Sequence, residues 1–394
     1  MLRSLYSGIS GLRSHQTMLD VTGNNIANVN TAGFKSSTVQ FQDTLSQLTQ
    51  GATAPTAGAG GSNPAQVGLG VKVAGIATNF GQGSAQSTGK ATDMMISGDG
   101  FFTVTSGGET LYTRAGSFNM DATGRLVTPD GAVLQGWGAV NGAIATGGGV
   151  QDIRIDPTTV SPAKQTGAAG VTGNLPDETV VGGTISRDVT IYDATGNQSK
   201  LTLNFTRTAT GWDVAGNDGN GGTGNLALTF ANGKLTSSGN MTVAGGKGPI
   251  AVDLNALTGY TGMSSVSISS QDGSAAGTLE SFTLSKDGTI VGSFSNGVKQ
   301  PVAQLALAKF ANPGGLEKAG DSEYRTSANS GAATLGAAGS AGFGALSGGS
   351  LEMSNVDLSQ EFTNLIVAQR GFQANARIIT TSDEVLQELT QLKR

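Results

Sequence analysis

The sequence predicts an α+β chain with coiled-coil-like helices at its N- and C-termini that form an inner core domain. Between them it predicts two mainly-β outer domains, the second inserted in the first. Three observations carry this. Apolar residues recur every seven positions at both ends, turn dipeptides punctuate the middle, and two Gly/Ala/Ser-rich stretches separate ends from middle. The expected boundaries are 1–30 and 355–394 for the helical core and 31–70 and 325–354 for extended connectors. The first β-domain is expected at 71–149 and 290–324, the second at 150–289.

At the N-terminus Leu5, Leu12, Leu19 and Ile26 repeat every seven residues, with Leu2, Ile9, Gln16 and Gly23 offset by three or four. At the C-terminus Leu358, Leu365, Phe372, Ile379 and Leu386 repeat in the same way, accompanied by Phe362, Gln369, Ala376 and Asp383. This is the mostly apolar a/d seam of a coiled-coil-like helix. Ser354 followed by Asp357 reads as a capping box. A helix from about Asn355 to Lys393 would span roughly 57 Å at 1.5 Å per residue. Gly8, Gly11 and Gly23 each weaken the first helix by about 1 kcal/mol relative to Ala, so it is expected to fold on assembly. Neither seam can be buried by its own helix. The ends are therefore expected to pack on each other and on the ends of neighbouring copies, against the plainer alternative of a helix pair that closes a domain.

The stretches 51–70 and 326–350 are too rich in Gly, Ala and Ser to hold a core and read as connectors, placed where hinges between layers would be needed. Between them, Asp99-Gly100, Asp130-Gly131, Asn141-Gly142, Asn232-Gly233, Asp287-Gly288 and Asn296-Gly297 mark tight turns. One hairpin runs from Val189–Tyr192 through Asp193-Ala194-Thr195-Gly196 to the alternating Leu201, Leu203 and Phe205. Another runs from Leu226–Phe230 through Asn232-Gly233 to Leu235.

Composition narrows the function. There are 62 Gly among 394 residues, and only 13% of residues are charged against about 25% in average globular proteins. The net charge of −5, with no basic stripe, argues against nucleic acid as a partner. No apolar run has the 18 or more residues of a spanning helix, and MLRSLYSGISGL lacks the apolar centre of a cleavable signal peptide, so neither membrane insertion nor conventional secretion is expected. Cysteine is absent, which removes disulfides, thiolate metal sites and Cys nucleophiles. His15 is the only histidine and has no partner at metal-ligand spacing. The Gly-rich stretches lack the Lys-Ser/Thr of a phosphate loop. NDGNGGTGN (217–225) resembles a calcium repeat but occurs once and reads as a surface loop. No catalytic, metal-binding or cofactor-binding residue is therefore expected, and no cofactor.

Four blocks carry a resemblance. NNIANVNTAGFK (24–35) is similar to the signature of the flagellar rod/hook axial protein family, and 351–394 is similar to that family's C-terminal helix. ISGDGFFTV (96–104) with YTRAGSFNMDATGRLV (112–127), and QLALAKFANPGGL (304–316), resemble its first β-domain. Rod members of the family are shorter and lack a large second β-domain, whereas 189–214 resembles the outer domain of hook members.

The resemblance implies a structural subunit of the bacterial flagellar hook, exported without a cleavable signal. Such subunits polymerise into a curved, flexible tube that works as a universal joint and encloses an export channel. The implied partners are further copies of the chain, the distal rod protein, the hook–filament junction protein and the hook cap. The expected polymerisation interface is Leu5, Ile9, Leu12, Leu19 and Ile26 with Leu358, Phe362, Leu365, Phe372, Ile379 and Leu386. Asn24, Asn25, Asn28, Gly33 and Phe34 of the family motif would set the exit of the chain from the first helix. A distal rod subunit and an exported β-rich surface adhesin are the competing readings, the latter without need of heptads at both ends.

Overall fold

The computed structural model describes residues 2–55, 58, 60–140, 142–156, 158–244 and 248–392; Asn141, the side chain of Leu2, parts of the 51–70 stretch and residues 393–394 lie outside the described residues. Two long helices stand at the chain ends, α1 over Leu2–Ala27 and α2 over Leu358–Leu392. Asp357, and not Ser354, caps α2. Its Oδ1 accepts from the backbone N–H groups of Ser359 at 2.8 Å and Gln360 at 3.3 Å. The Ser354 hydroxyl accepts only from Val356 N–H, in the turn before the helix. A carboxylate beside the first N–H groups also meets the positive end of the helix dipole, which explains why the helix starts three residues later than expected.

After α1 the chain forms a two-stranded antiparallel ribbon. Ser37–Asp43 pairs with Val71–Thr78, and Ser46–Gln50 continues the ladder against Ala65–Gly68. An isolated bridge between Thr53 and Ser62 extends it toward the tip. The 31–70 connector is therefore largely ribbon. The 325–354 stretch is not free either. Thr334–Ala337 pairs with Ala306–Lys309, Ala345–Gly348 with Met94–Ser97, and Ser350–Glu352 with Ala85–Ser87. In segments built of Gly, Ala and Ser the ladder rests on backbone hydrogen bonds, which leave no apolar alternation in the sequence.

The first large sheet has 14 strands. Its central strand, Lys299–Lys309, is buried from Ala303 to Ala308. Phe102, Val104, Phe118, Leu126, Leu134, Ile153, Ile155, Leu305 and Leu307 fill its core. The second sheet has nine strands between Ala168 and Gln271, around Leu201, Leu203, Phe205, Trp212, Val214 and Leu254. Both expected hairpins are present in it, Thr184–Tyr192 with Gln198–Arg207 and Thr223–Ala231 with Lys234–Leu235. The expected second-domain span of 150–289 is too wide. Gln151–Asp152 and Gly277–Leu284 pair within the first sheet, and Leu279, Phe282 and Leu284 pack against its core. The 217–225 loop is a hairpin turn closed on Asp218, whose Oδ1 accepts from Asn220 and Gly222 N–H.

Candidate assembly interface

The two helices pack antiparallel. Gly8 lies against Ile378 and Ile379, Gly11 against Asn375, and the ring of His15 against Gly371. Further along, Asn25 Nδ2 donates to Glu361 Oε1 at 3.0 Å. Each step toward the end of α1 meets an equal step back along α2. A Cβ on Gly11 would sit 2.8 Å from the Asn375 amide, so the missing side chains set how closely the helices approach. On its other side α1 carries the ribbon, with His15 and Phe41 rings 5.9 Å apart and Val71 N–H donating to Ser10 Oγ.

This geometry revises the expected seam. The buried positions of α1 are Gly8, Gly11, Ser14, Thr22 and Asn25, while Leu5, Ile9, Leu12, Leu19 and Ile26 are half-buried. On α2, Leu365, Phe372 and Ile379 are half-buried among the α1-facing positions, with Glu361 and Ala368 buried. Leu358, Phe362 and Leu386, placed in the same seam by the heptads, are exposed at 39%, 51% and 36%. A heptad reading ranks positions by apolar side chains, but here the smallest residues form the contact line and larger ones flank it. At about 100° per residue, exposed Leu358, Phe362 and Ile366 share one flank of α2, and exposed Val367, Ile378, Val385 and Leu389 share the other.

Below the helices the chain is knotted by polar groups. Asn25 Nδ2 donates to Ser37 O at 2.8 Å and its Oδ1 accepts from Ser37 N–H at 3.0 Å. Asn28 Nδ2 donates to Asn24 O and Oδ1, and Thr31 Oγ1 donates to Asn28 Oδ1. Gly33 has φ +70°, its N–H donates to Glu352 O at 2.7 Å, and a Cβ there would fall 2.4 Å from Ala115 N. Phe34 lies under the Lys318 ammonium, 5.4 Å from ring centre to nitrogen.

The knot contains residues that motif reading did not single out as a site. Glu352 accepts from Lys35 Nζ at 2.6 Å, Gly83 N–H at 2.9 Å and Arg114 Nη1 at 3.4 Å; the Lys35 and Glu352 side chains are fully buried. Lys35 Nζ also donates to Gly81 O at 2.9 Å. Asn355 accepts from Ser36 N–H and donates to Asn79 O and Gly81 O. Burial pulls the Lys35 and Arg114 cations below their ordinary pKa, and the Glu352 carboxylate opposes this in both. The expected hinges are thus fastened where they leave the helix pair. A charged Lys inside a family motif was the one available signal, since a buried Lys needs a buried acid.

The two ends of the chain make one close helix pair whose apolar flanks are exposed among the described residues, a layout that suits a structural subunit. Three family models match it: "Flagella basal body rod protein" over 5–35, "Flagellar hook protein FlgE/F/G D1 domain" over 95–166, and "Flagellar basal body rod FlgEFG protein C-terminal" over 347–392. The flagellar hook protein FlgE of Borreliella burgdorferi is 40% identical over the full length of both chains, and that of Treponema pallidum 39%. The chain belongs to the flagellar hook protein family. The Bacillus subtilis flagellar basal-body rod protein FlgG is also similar, at 36% identity over the full length of both chains. A crystal structure of the Helicobacter pylori hook protein FlgE2 shares the fold, with a TM-score of 0.50 at 14% identity over 66% of this chain and 98% of that one.

Proposed function

We propose that the chain is the structural subunit of the bacterial flagellar hook, polymerising into a curved, flexible tube that carries torque from rod to filament and encloses an export channel. The observation that carries this reading is the pair of apolar flanks on α2. A helix with Phe362 and Ile366 open on one side and Val385 and Leu389 open on the other has room for a neighbour on each side. Neighbours added by a rotation that does not close generate an open helical assembly. In this reading the helix pair (1–30 and 355–394) lines the channel and the sheets form outer layers, the second inserted in the first. The half-buried Leu5, Ile9, Leu12, Leu19 and Ile26, with Leu365, Phe372 and Ile379, hold the pair, while Leu358, Phe362 and Leu386 meet neighbours. Asn24, Asn25, Asn28, Gly33 and Phe34 fix the exit from α1.

The reading places the protein outside the cell, with the distal rod protein, the hook–filament junction protein and the hook cap as its further partners. A distal rod subunit is the second reading, favoured by the full-length similarity to a protein named as a rod protein. Electron microscopy of the purified chain tests both: curved tubes are expected, straight rods would favour the second reading, and monomers at all concentrations would sink both. Leu365→Asp or Phe372→Asp should leave the sheets folded and abolish the tubes, because an unpaired carboxylate against α1 is costly.

A further inference from the structure

A cavity of about 580 Å³ opens between the exit of α1 and the first sheet. Its apolar wall includes Phe34, Ala115, Pro129 and Tyr324, and its acidic side is Asp130, Asp321 and Glu323. Glu323 is only 6% exposed, and its Oε1 is buried without a hydrogen-bond partner. The acid is held in place by its backbone. The strand Glu323–Arg325 pairs with Glu109–Thr113 on one side and Glu317–Gly320 on the other, and it is preceded by two residues in left-handed conformation, Asp321 at φ 47° and Ser322 at φ 61°. A carboxylate buried next to two others, at the end of a turn of unfavourable backbone, is an arrangement that a bound cation would compensate.

Lys318 also lines the cavity, where its ammonium donates to Ser37 Oγ and covers Phe34 without an ion pair to the acids, and Arg325 is paired with Glu109. From α1 and the turn after it the cavity receives the neutral Asn24 and Asn28, and from the strand beside Glu323 it receives Thr113. Asp130, Asp321 and Glu323 have no ion-pair partner among the described residues. On the outward face of α2, Arg370 is exposed and has no ion pair among the described residues. Exposed Ile366 and Val367 precede it by one turn, so it presents a guanidinium with apolar shoulders, the complement of acids with an apolar wall.

We propose that this cavity receives the Arg370 side chain of a second copy of the chain, forming a buried contact between copies. The proposal rests on the polymer reading above and deepens it. Burial, then Asp130 and Asp321, push the Glu323 carboxyl up to about 7. An arriving guanidinium selects the ionised form, so association releases a proton and strengthens as pH rises through 7. The isolated subunit behaves oppositely. For a carboxyl raised in the folded state, its contribution to stability is full below the ordinary value of 4.5 and lost as pH rises through 7.

The test is a double-mutant cycle on the critical concentration for assembly, measured by sedimentation at pH 6 and pH 8 with Glu323→Gln, Arg370→Gln and the double variant. Wild type should assemble better at pH 8, and each single variant should raise the critical concentration about tenfold there, a change of 1.4 kcal/mol. The double variant should be little worse than either single, and Glu323→Gln should abolish the pH dependence. Glu323→Gln removes a buried charge without changing shape, and thermal melting of the monomer checks its fold. Additive effects, or coupling of Glu323 to Arg377 in place of Arg370, would overturn the proposal. Wild-type assembly that Glu323→Gln leaves unchanged would overturn it while sparing the polymer reading. Failure of wild type to assemble at all would overturn both.

Discussion

In the second sheet, Leu201, Leu203, Phe205 and Trp212 are exposed by no more than 1%, whereas on α2 the equally apolar Phe362, Ile366 and Val367 are each half exposed. Each large sheet closes a continuous apolar core within one chain. The helix pair closes its inner line with glycine, serine and asparagine, flanks it with half-buried apolar residues, and leaves side chains such as Phe362 and Ile366 outside. Apolar area removed from water stabilises by about 25 cal/mol per Å² wherever it is removed. The same kind of side chain therefore holds the fold together in one region and remains available for association in the other.

The comparison breaks first at the knot that joins the two regions. Glu352→Ala leaves Lys35 and Arg114 buried without their acid, and should lower monomer stability by about 3–5 kcal/mol. Equilibrium denaturation reads this, and a loss below 1 kcal/mol would show that the knot does not hold helices to sheet. Phe205→Ala should cost the second sheet about 3–5 kcal/mol. Hydrogen exchange should then show protection lost in Ala168–Gln271 and kept on α1 and α2; a loss shared by the helices would mean that the regions are one cooperative unit. Gly11→Leu forces α1 off Asn375 and should cost about 1–3 kcal/mol, with the loss seen as faster exchange in both helices. Phe362→Ser should sharpen the contrast most while changing monomer stability least, within about 0.5 kcal/mol. Sedimentation should nonetheless show assembly lost, and assembly at wild-type concentration would mean that this flank meets no neighbour.

Legibility in the sequence followed side-chain size. Where large residues alternate, as in Leu201, Leu203 and Phe205, the hairpin and its turn at Asp193–Gly196 could be read directly, because burial on one face requires period two. The helices were legible from their heptads, but their contact line was not, since a pattern built on Leu and Phe passes over Gly8, Gly11 and Gly371. The ladders in 31–70 and 325–354 were invisible for a related reason: their pairing lies in the backbone, and small side chains report nothing about it. Asn25 and Gly33 were found as motif residues, and the structure supplies their partners. Glu352 and Arg114 came only from three-dimensional proximity, for a buried charge leaves no mark in composition when its counterpart lies hundreds of positions away, and Glu323 came only from its burial.

That distance governs the order in which the molecule can be made. The bond between Lys35 and Glu352 spans 317 positions, and closing a flexible loop of that size costs on the order of 5 kcal/mol of chain entropy. Synthesis delivers residues at about 5–20 per second. Lys35 therefore waits tens of seconds for its acid, and α1 waits as long for α2. The two sheets can form in that interval from strands close in sequence, while the first helix has no antiparallel partner until Leu358–Leu392 arrives. The clasp between Lys35 and Glu352 is thus a late closure, made between an earlier and a much later part of the chain.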